Sequence, residues 1–494
     1  YLKYFQTFEQ NIFSEEDYGV IFTPEGCKYA MELILNSRLD PDDEKDYSPD
    51  VMEAIFKFIL AVNQSLFSIA EEQFMTVNGT IDWEIFNAVT LSLSEHRVEI
   101  NPMLNFGRAY HHALYLAKSA KYGSQFKEYI YENYRLNPFQ YIFIIYYIYN
   151  ANRHPDHRLR YLYEIDEPQK ENFDKFSERM KSANPLSLLN LKKSPFYKLS
   201  ECSYLLMDNT TLIAKIYHNL LNDFWFDKLK PIKMEEIRNS VATRKELEGK
   251  ITNIYQEYKS DFGRYFFEPY VARIFEKMFE KLNKYAKILK LGDLIIRSPA
   301  GDIEITDLYL RHSNKIILGE IKSGLIYDKE KYSGNLMDLY RQNRNAFFDN
   351  FGINQLVSCI GSLRENIVKV DSSFNNNQRY NIYPCIVVND TALQTPLMAN
   401  VFNTRFMELI DVANLAKFNL KPLTLIHVSD MERLEDYVNE SPSRFWDLLD
   451  RNFADRKFIP PFYTTHEFYV RGIPEPNWVR NLINKMAEII GVKS

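Results

Sequence analysis

Paired cysteines are missing from this chain. Its four, Cys27, Cys202, Cys359 and Cys385, lie far apart and form no CxxC motif. That spacing argues against zinc ribbons and disulfide frameworks, and it fits a reducing cytoplasm. Long apolar runs are missing too. The most apolar stretch, Tyr141 to Tyr149, spans nine residues, well short of the ~20 that a membrane-crossing helix requires. It reads as a buried helix, no secretory signal is legible, and no membrane partner is expected. Excess positive charge is also absent, with 60 Lys and Arg against 66 Asp and Glu and a formal net charge of −6. No global cationic field can hold nucleic acid, so any such contact must come from a local basic patch. There is no GxxxxGK[S/T] phosphate loop, so no motor or ATPase of that class is readable. No fixed-period repeat or low-complexity tract is visible.

What is present is an ordinary globular composition, 46% hydrophobic and 26% charged over 494 residues, which predicts two or three domains. The 34 Tyr and 35 Phe are many; AT-rich coding DNA inflates both, and no function is read from them. Residues 1–250 read as a mainly helical region. Thr23-Pro24-Glu25 and Ser48-Pro49-Asp50 each supply a capping hydroxyl and a proline at the first helical position. The second precedes Val51, Ile55, Phe56, Ile59 and Leu60, which share one helical face. Asn105 to Tyr122 and Pro138 to Tyr149 read as helices as well, while Asp208-Asn209 predicts a hairpin turn within Leu205 to Ile216.

Past residue 250 the pattern changes. A helix near Tyr265 to Tyr285 is followed by β-like runs at Leu291 to Arg297, Ile303 to Leu310 and Ile316 to Ile321. Helical sequence returns over Asn335 to Arg364. A strand at Ile382 to Val388, a helix near Asn403 to Ala416 and a strand at Leu423 to Val428 follow. This order predicts an α/β (α+β) fold, a mixed sheet with helices on both faces over 251–430. A helical extension over 431–494 is expected to pack on it, interrupted at Ile459-Pro460-Pro461.

Strand parity singles out three residues. In Ile316 to Lys322, Glu320 and Lys322 project to one face of an otherwise apolar strand. Burying such a pair is costly, and an exception of this kind marks a candidate site. A hairpin centred between Ser313 and Asn314 sets Asp307 opposite Glu320. Two carboxylates side by side repel unless a cation lies between them, and Mg²⁺ or Mn²⁺, held by oxygen ligands, suits that place.

A helix, an Asp on one strand, Glu320-Ile321-Lys322 on the next and a further helix together resemble the PD-(D/E)xK nuclease superfamily over roughly 255–430. Thr306 stands where the superfamily's name has Pro. The resemblance implies a restriction-endonuclease-like core and a Mg²⁺-dependent phosphodiesterase acting on nucleic acid, DNA more than RNA. Asp307, Glu320 and the Ile321 carbonyl would bind metal, and Lys322 would orient or activate the attacking water. It also implies a Glu on the preceding helix. Gly263-Arg264-Tyr265-Phe266-Phe267-Glu268 supplies Glu268, expected at a helix start because of Pro269, with Glu276 in reserve. A Gln on the following helix is implied too, and Gln355 is preferred over Gln342. By analogy with stand-alone chains of this kind, bacterial anti-phage defence or restriction is the expected setting. The helical region over 1–250 would serve recognition, regulation or assembly, as a homo-oligomer or with a partner protein.

Blander readings stand beside this one. Glu320 and Lys322 would also suit the polar end of an edge strand, with Asp307 paired to Lys322. A nuclease-like scaffold that only binds nucleic acid or assembles is the other alternative. His154-Pro155-Asp156-His157, flanked by Arg153, Arg158 and Arg160, reads as a basic loop rather than a metal site. His111 and His112 point ~100° apart on a helix and read as packing. No Arg–His pair has the four to six intervening residues of helical RNases; Arg153 and His157 have three between them. Arg273, Lys277, Lys281 and Lys284 form a basic stripe, read as a solvated helix face with phosphate tracking as the alternative. Arg341, Arg344 and the loop Lys329 to Lys331 are further candidate phosphate contacts.

Overall fold

The computed structural model describes residues 24–36, 49–67, 82, 100–153, 162–167, 170–178, 188–241, 243–282, 287–291, 295–296, 303–304, 306–326, 347–375, 377–410, 418–454, 459–470 and 472–490. The chain divides into two compact units. The first comprises 1–73, 99–255 and 481–494, and the second 74–98 and 256–480. No described helix is long and apolar enough to cross a membrane.

The first unit is mainly helical. It contains α1 (Pro24–Asn36), α2 (Pro49–Phe67), α3 (Pro102–Lys118), α4 (Gly123–Tyr134) and α5 (Pro138–Arg153). Asn101 caps α3, its side-chain oxygen accepting from the Met103 and Leu104 amides at 3.1 Å, and Asn137 does the same for α5. Pro102 and Pro138 occupy first-turn positions, where an amide N–H has no helical partner to lose. The apolar stretch in α5 is buried at Tyr141, Ile142, Phe143, Ile145, Tyr146, Ile148 and Tyr149. Next come β1 (Leu162–Glu164), α6 (Lys170–Ser177), α7 (Leu189–Lys193), β2 (Phe196–Lys198) and β3 (Ser203–Leu206). The three strands form an antiparallel sheet in the order β1-β3-β2.

The hairpin expected at Asp208-Asn209 is not there. Asp208 instead caps α8 (Asn209–Ala214), accepting from the Thr211 amide at 2.7 Å, and the hairpin lies one step earlier, between β2 and β3. Asp and Asn serve turns and helix caps alike, and packing decides between them. After α9 (Leu220–Phe224) and a π-helical turn at Trp225–Leu229 follow α10 (Lys230–Arg238) and α11 (Arg244–Phe262). His112 is fully buried against Tyr217, and burial lowers its imidazole to about 3, so it is a neutral packing residue. His111 lies edge-on to Tyr110. His154, Asp156, His157, Arg158 and Arg160 lie outside the described residues.

In the second unit a π-helical turn at Gly263–Phe267 leads into α12 (Glu268–Met278). Its buried residues Tyr270, Val271, Ile274, Phe275 and Met278 follow helical spacing. The strands are β4 (Lys287–Leu291), β5 (Ile295–Ile296), β6 (Ile303–Glu304), β7 (Leu308–His312), β8 (Lys315–Lys322), β9 (Tyr380–Val388), β10 (Phe418–Leu420) and β11 (Thr424–His427). Helices α13 (Ile353–Val370) and α14 (Met398–Leu409) intervene, and α15 (Val428–Glu440), α16 (Ser443–Asn452) and α17 (Phe462–Tyr469) follow; α18 (Asn477–Ile490) comes last, its residues from Asn481 on belonging to the first unit.

The main sheet runs β10-β9-β8-β7-β4, with β11 following β10 along the same edge of β9. Strands β4, β7 and β8 are antiparallel neighbours, while β8, β10 and β11 all lie parallel to β9. Pro384 explains the change of partner. The Asn381 amide points to β8, bonding the Asn314 carbonyl, so by alternation the Pro384 nitrogen faces the other edge. It falls between β10, paired at 380–382, and β11, paired at 385–388, where no donor is needed.

The expected run Ile303 to Leu310 is split, since β6 pairs with β5 in a separate ribbon and only β7 joins the sheet. The first strand of the sheet ends at Leu291 rather than beginning there. On one face lie Tyr309, Arg311, Leu318, Glu320 and Lys322, covered by α13. On the other lie His312, stacked on Trp446 of α16, and Tyr383, bonded to Asp450 of α16. Helix α12 packs on α15 through Lys277, which pairs with Glu435 and, at 3.1 Å, Asp436. Lys277 is thus committed to a structural contact, while Arg273 is exposed and lies over the Tyr270 ring. Lys284 is outside the described residues.

Candidate functional site

The register of the β7–β8 hairpin is the one the turn predicts. Leu308 pairs with Gly319 and His312 with Lys315 across Ser313-Asn314, and Ser313 takes the left-handed conformation at φ 55°. Continuing that register by one residue sets Asp307 opposite Glu320. Strand β8 is buried from Ile316 to Ile321 and has neighbours on both sides, so Glu320 and Lys322 do not belong to an edge strand.

Asp307 is buried, and its Oδ2 accepts from the Ile321 amide at 2.7 Å. Thr306 donates its hydroxyl to the Gly319 carbonyl at 2.7 Å, tying the approach to β7 onto β8. Glu320 is fully buried. Its Oε2 faces Lys322 Nζ at 3.0 Å, and its Oε1 accepts from the Cys359 thiol at 3.3 Å. Burial, reinforced by the Asp307 charge and opposed by Lys322, pushes its carboxyl up from 4.5 to about 7. Lys322 Nζ also donates to Gln355 Oε1 at 2.5 Å. The aliphatic stem of Lys322 runs against Gly352, the residue that begins α13.

Glu268 does not sit at a helix start. Both Phe267 and Glu268 are helical, and the Glu268 amide bonds the Gly263 carbonyl five residues back, closing the π turn. Proline lacks an amide hydrogen and its ring crowds the carbonyl four residues earlier. A wider turn just ahead of Pro269 relieves that conflict, and the same device precedes Pro231 at Trp225–Leu229. Glu268 Oε1 and Ser323 Oγ both lie within 3.5 Å of the point that a Cβ on Gly263 would occupy, so Glu268 borders the end of β8. Glu276 is exposed on α12. Gln342, Arg341, Arg344 and Lys329 to Lys331 lie outside the described residues.

Asp307, Glu320, Lys322 and Gln355 are therefore brought together, while Glu268 lies near Ser323, the residue after β8. Among the described residues no three His, Cys, Asp or Glu side chains converge as a metal-binding group, so Glu268 does not complete a carboxylate triad. The remaining donors, two carboxylates and the Ile321 carbonyl, are hard oxygens. Burial and the neighbouring Asp307 charge, against the help of Lys322, keep Glu320 from ionising at its ordinary pH, and this donor chemistry fits a divalent cation such as Mg²⁺. Sequence reading did not find Cys359, Gly352 or Ser323, and took Thr306 only as the position of the superfamily's Pro. Nor did it find Asp390, which accepts from the Ile326 and Ala392 amides and ties the segment after β8 to the end of β9. No local motif signals contacts made across 39 to 64 residues of chain. Comparison with protein-family models, with curated proteins and with solved structures finds no match to this chain.

Proposed function

We propose that the second unit is a metal-dependent nuclease with a restriction-endonuclease-like core, hydrolysing phosphodiester bonds, preferentially in DNA. The observation that carries this reading is a buried carboxylate pair, Asp307 and Glu320, beside a lysine ammonium held by Gln355 on an internal strand. One or two Mg²⁺ or Mn²⁺ ions on Asp307, Glu320 and the Ile321 carbonyl would activate water and neutralise the scissile phosphate. Lys322 would leave Glu320 for that water and for the negative charge developing on the phosphate oxygens. Glu268 would bind metal directly or through water. The helical first unit would recognise the substrate or a partner, and bacterial anti-phage defence or restriction is the setting by analogy.

The test is nicking of supercoiled plasmid, with single-stranded DNA and RNA in parallel, in Mg²⁺ and in Mn²⁺. Asp307→Ala and Lys322→Ala should each lower the rate about 100-fold or more, the scale for loss of one transition-state contact. Unchanged cutting by both variants overturns the site. A wild-type protein that cuts none of these substrates favours the binding-only scaffold.

A further inference from the structure

Gly352 opens α13 in the left-handed conformation, at φ +80° and without a side-chain cap. A Cβ there would lie 2.4 Å from Lys322 Cε and 3.3 Å from its Cδ and Cγ. The residue thus meets two demands, and only glycine satisfies both. The positive φ disfavours any side chain, and the missing Cβ leaves the channel through which the lysine stem reaches Glu320 and Gln355.

We propose that Gly352 is a positioning residue for Lys322: it seats the stem and thereby fixes where the ammonium stands. The geometry around it is closed. The stem lies against Gly352, and the ammonium is held by Glu320 Oε2 at 3.0 Å and by Gln355 Oε1 at 2.5 Å, three residues into the helix that Gly352 begins. A methyl group at 352 must push the Cε and with it the ammonium, and misplacement of about 1 Å can cost a catalytic group 100-fold. The catalytic part of this inference rests on the nuclease reading; the contact part does not.

Two positive-φ glycines allow a controlled comparison. Gly472, at φ +71°, has nothing within 4 Å of its would-be Cβ, so Gly472→Ala reports backbone strain alone. Melting temperatures should be measured for Gly352→Ala, Gly472→Ala and Lys322→Ala, and for both glycine changes in the Lys322→Ala background. Gly352→Ala should lower the melting temperature more than Gly472→Ala in the wild-type background. With the lysine stem removed, it should cost no more than Gly472→Ala, whose effect should be the same in both backgrounds. In cleavage, Gly352→Ala should lose about 10- to 100-fold in kcat with KM little changed, and Gly472→Ala should match wild type. Additive melting shifts for Gly352→Ala and Lys322→Ala overturn the seat. Coupled shifts with undiminished cleavage by Gly352→Ala overturn its positioning role. A wild type that cleaves nothing sinks the nuclease reading and the positioning role with it, while the thermal cycle still decides the contact.

Discussion

Glu320 occupies a place where ionisation is expensive. Its carboxyl titrates at about 7 in the folded protein instead of 4.5, because burial and Asp307 outweigh the help of Lys322. A folded value above the unfolded one means that the native state holds this proton more tightly. The stability it contributes is complete below about pH 4.5 and is lost as pH rises through about 7. In chelator, Glu320→Gln should therefore match wild type near pH 4.5 and melt at a higher temperature at pH 8; assayed separately in Mg²⁺, it should lose cleavage. A variant less stable than wild type at pH 8 would contradict this placement of the carboxylate. Such a cost is tolerable where charge is needed for function. This residue was legible in the sequence because β8 is buried on both faces, so any charge in it stands out against the two-residue period. The thiol of Cys359, 39 positions away, had no such signature.

Among the elements, the wide turn at Gly263–Phe267 shows where local reading fails. Proline favours the first turn of a helix, so Pro269 suggested a start, and only the five-residue hydrogen bond reveals a continuing helix. A different ambiguity, between turn and helix cap, misassigned Asp208, and β10 is too short to leave a pattern. Gly263 carries a prediction of its own. Alanine inside a helix usually gains about 0.5–1 kcal/mol over glycine. Here its Cβ would meet Ser323 Oγ at 2.6 Å, with Ser323 Cβ at an ordinary 3.6 Å. Overpacking costs about 1–3 kcal/mol, so Gly263→Ala should destabilise. In a Ser323→Ala background the same change should stabilise. Denaturant titration of the four proteins reads the reversal, and a destabilising effect in both backgrounds would rule out this contact.

Across the second unit, most of the sheet was readable, since β7, β8, β9 and β11 are runs whose apolar content declares them. Their order was not, because parallel pairing joins segments through helices of no fixed length. Helix α13 spans the face that carries the site and is held near both ends. Gln355 and Cys359 bond β8 residues near one end. At the other, Asp371 receives hydrogen bonds from Arg311 and Tyr309 of β7. Burial would raise the Asp371 carboxyl, but Arg311 and Ser373 hold it below its usual value. A helix pinned at both ends cannot fray independently of the strands beneath it. Its amides should exchange with deuterium at the slow rate of those in β8, released by one shared opening. Earlier exchange along the whole of α13 would show a looser clamp than these contacts describe. The enclosed carboxylates would then have an access route for water and ions that needs no unfolding of the sheet.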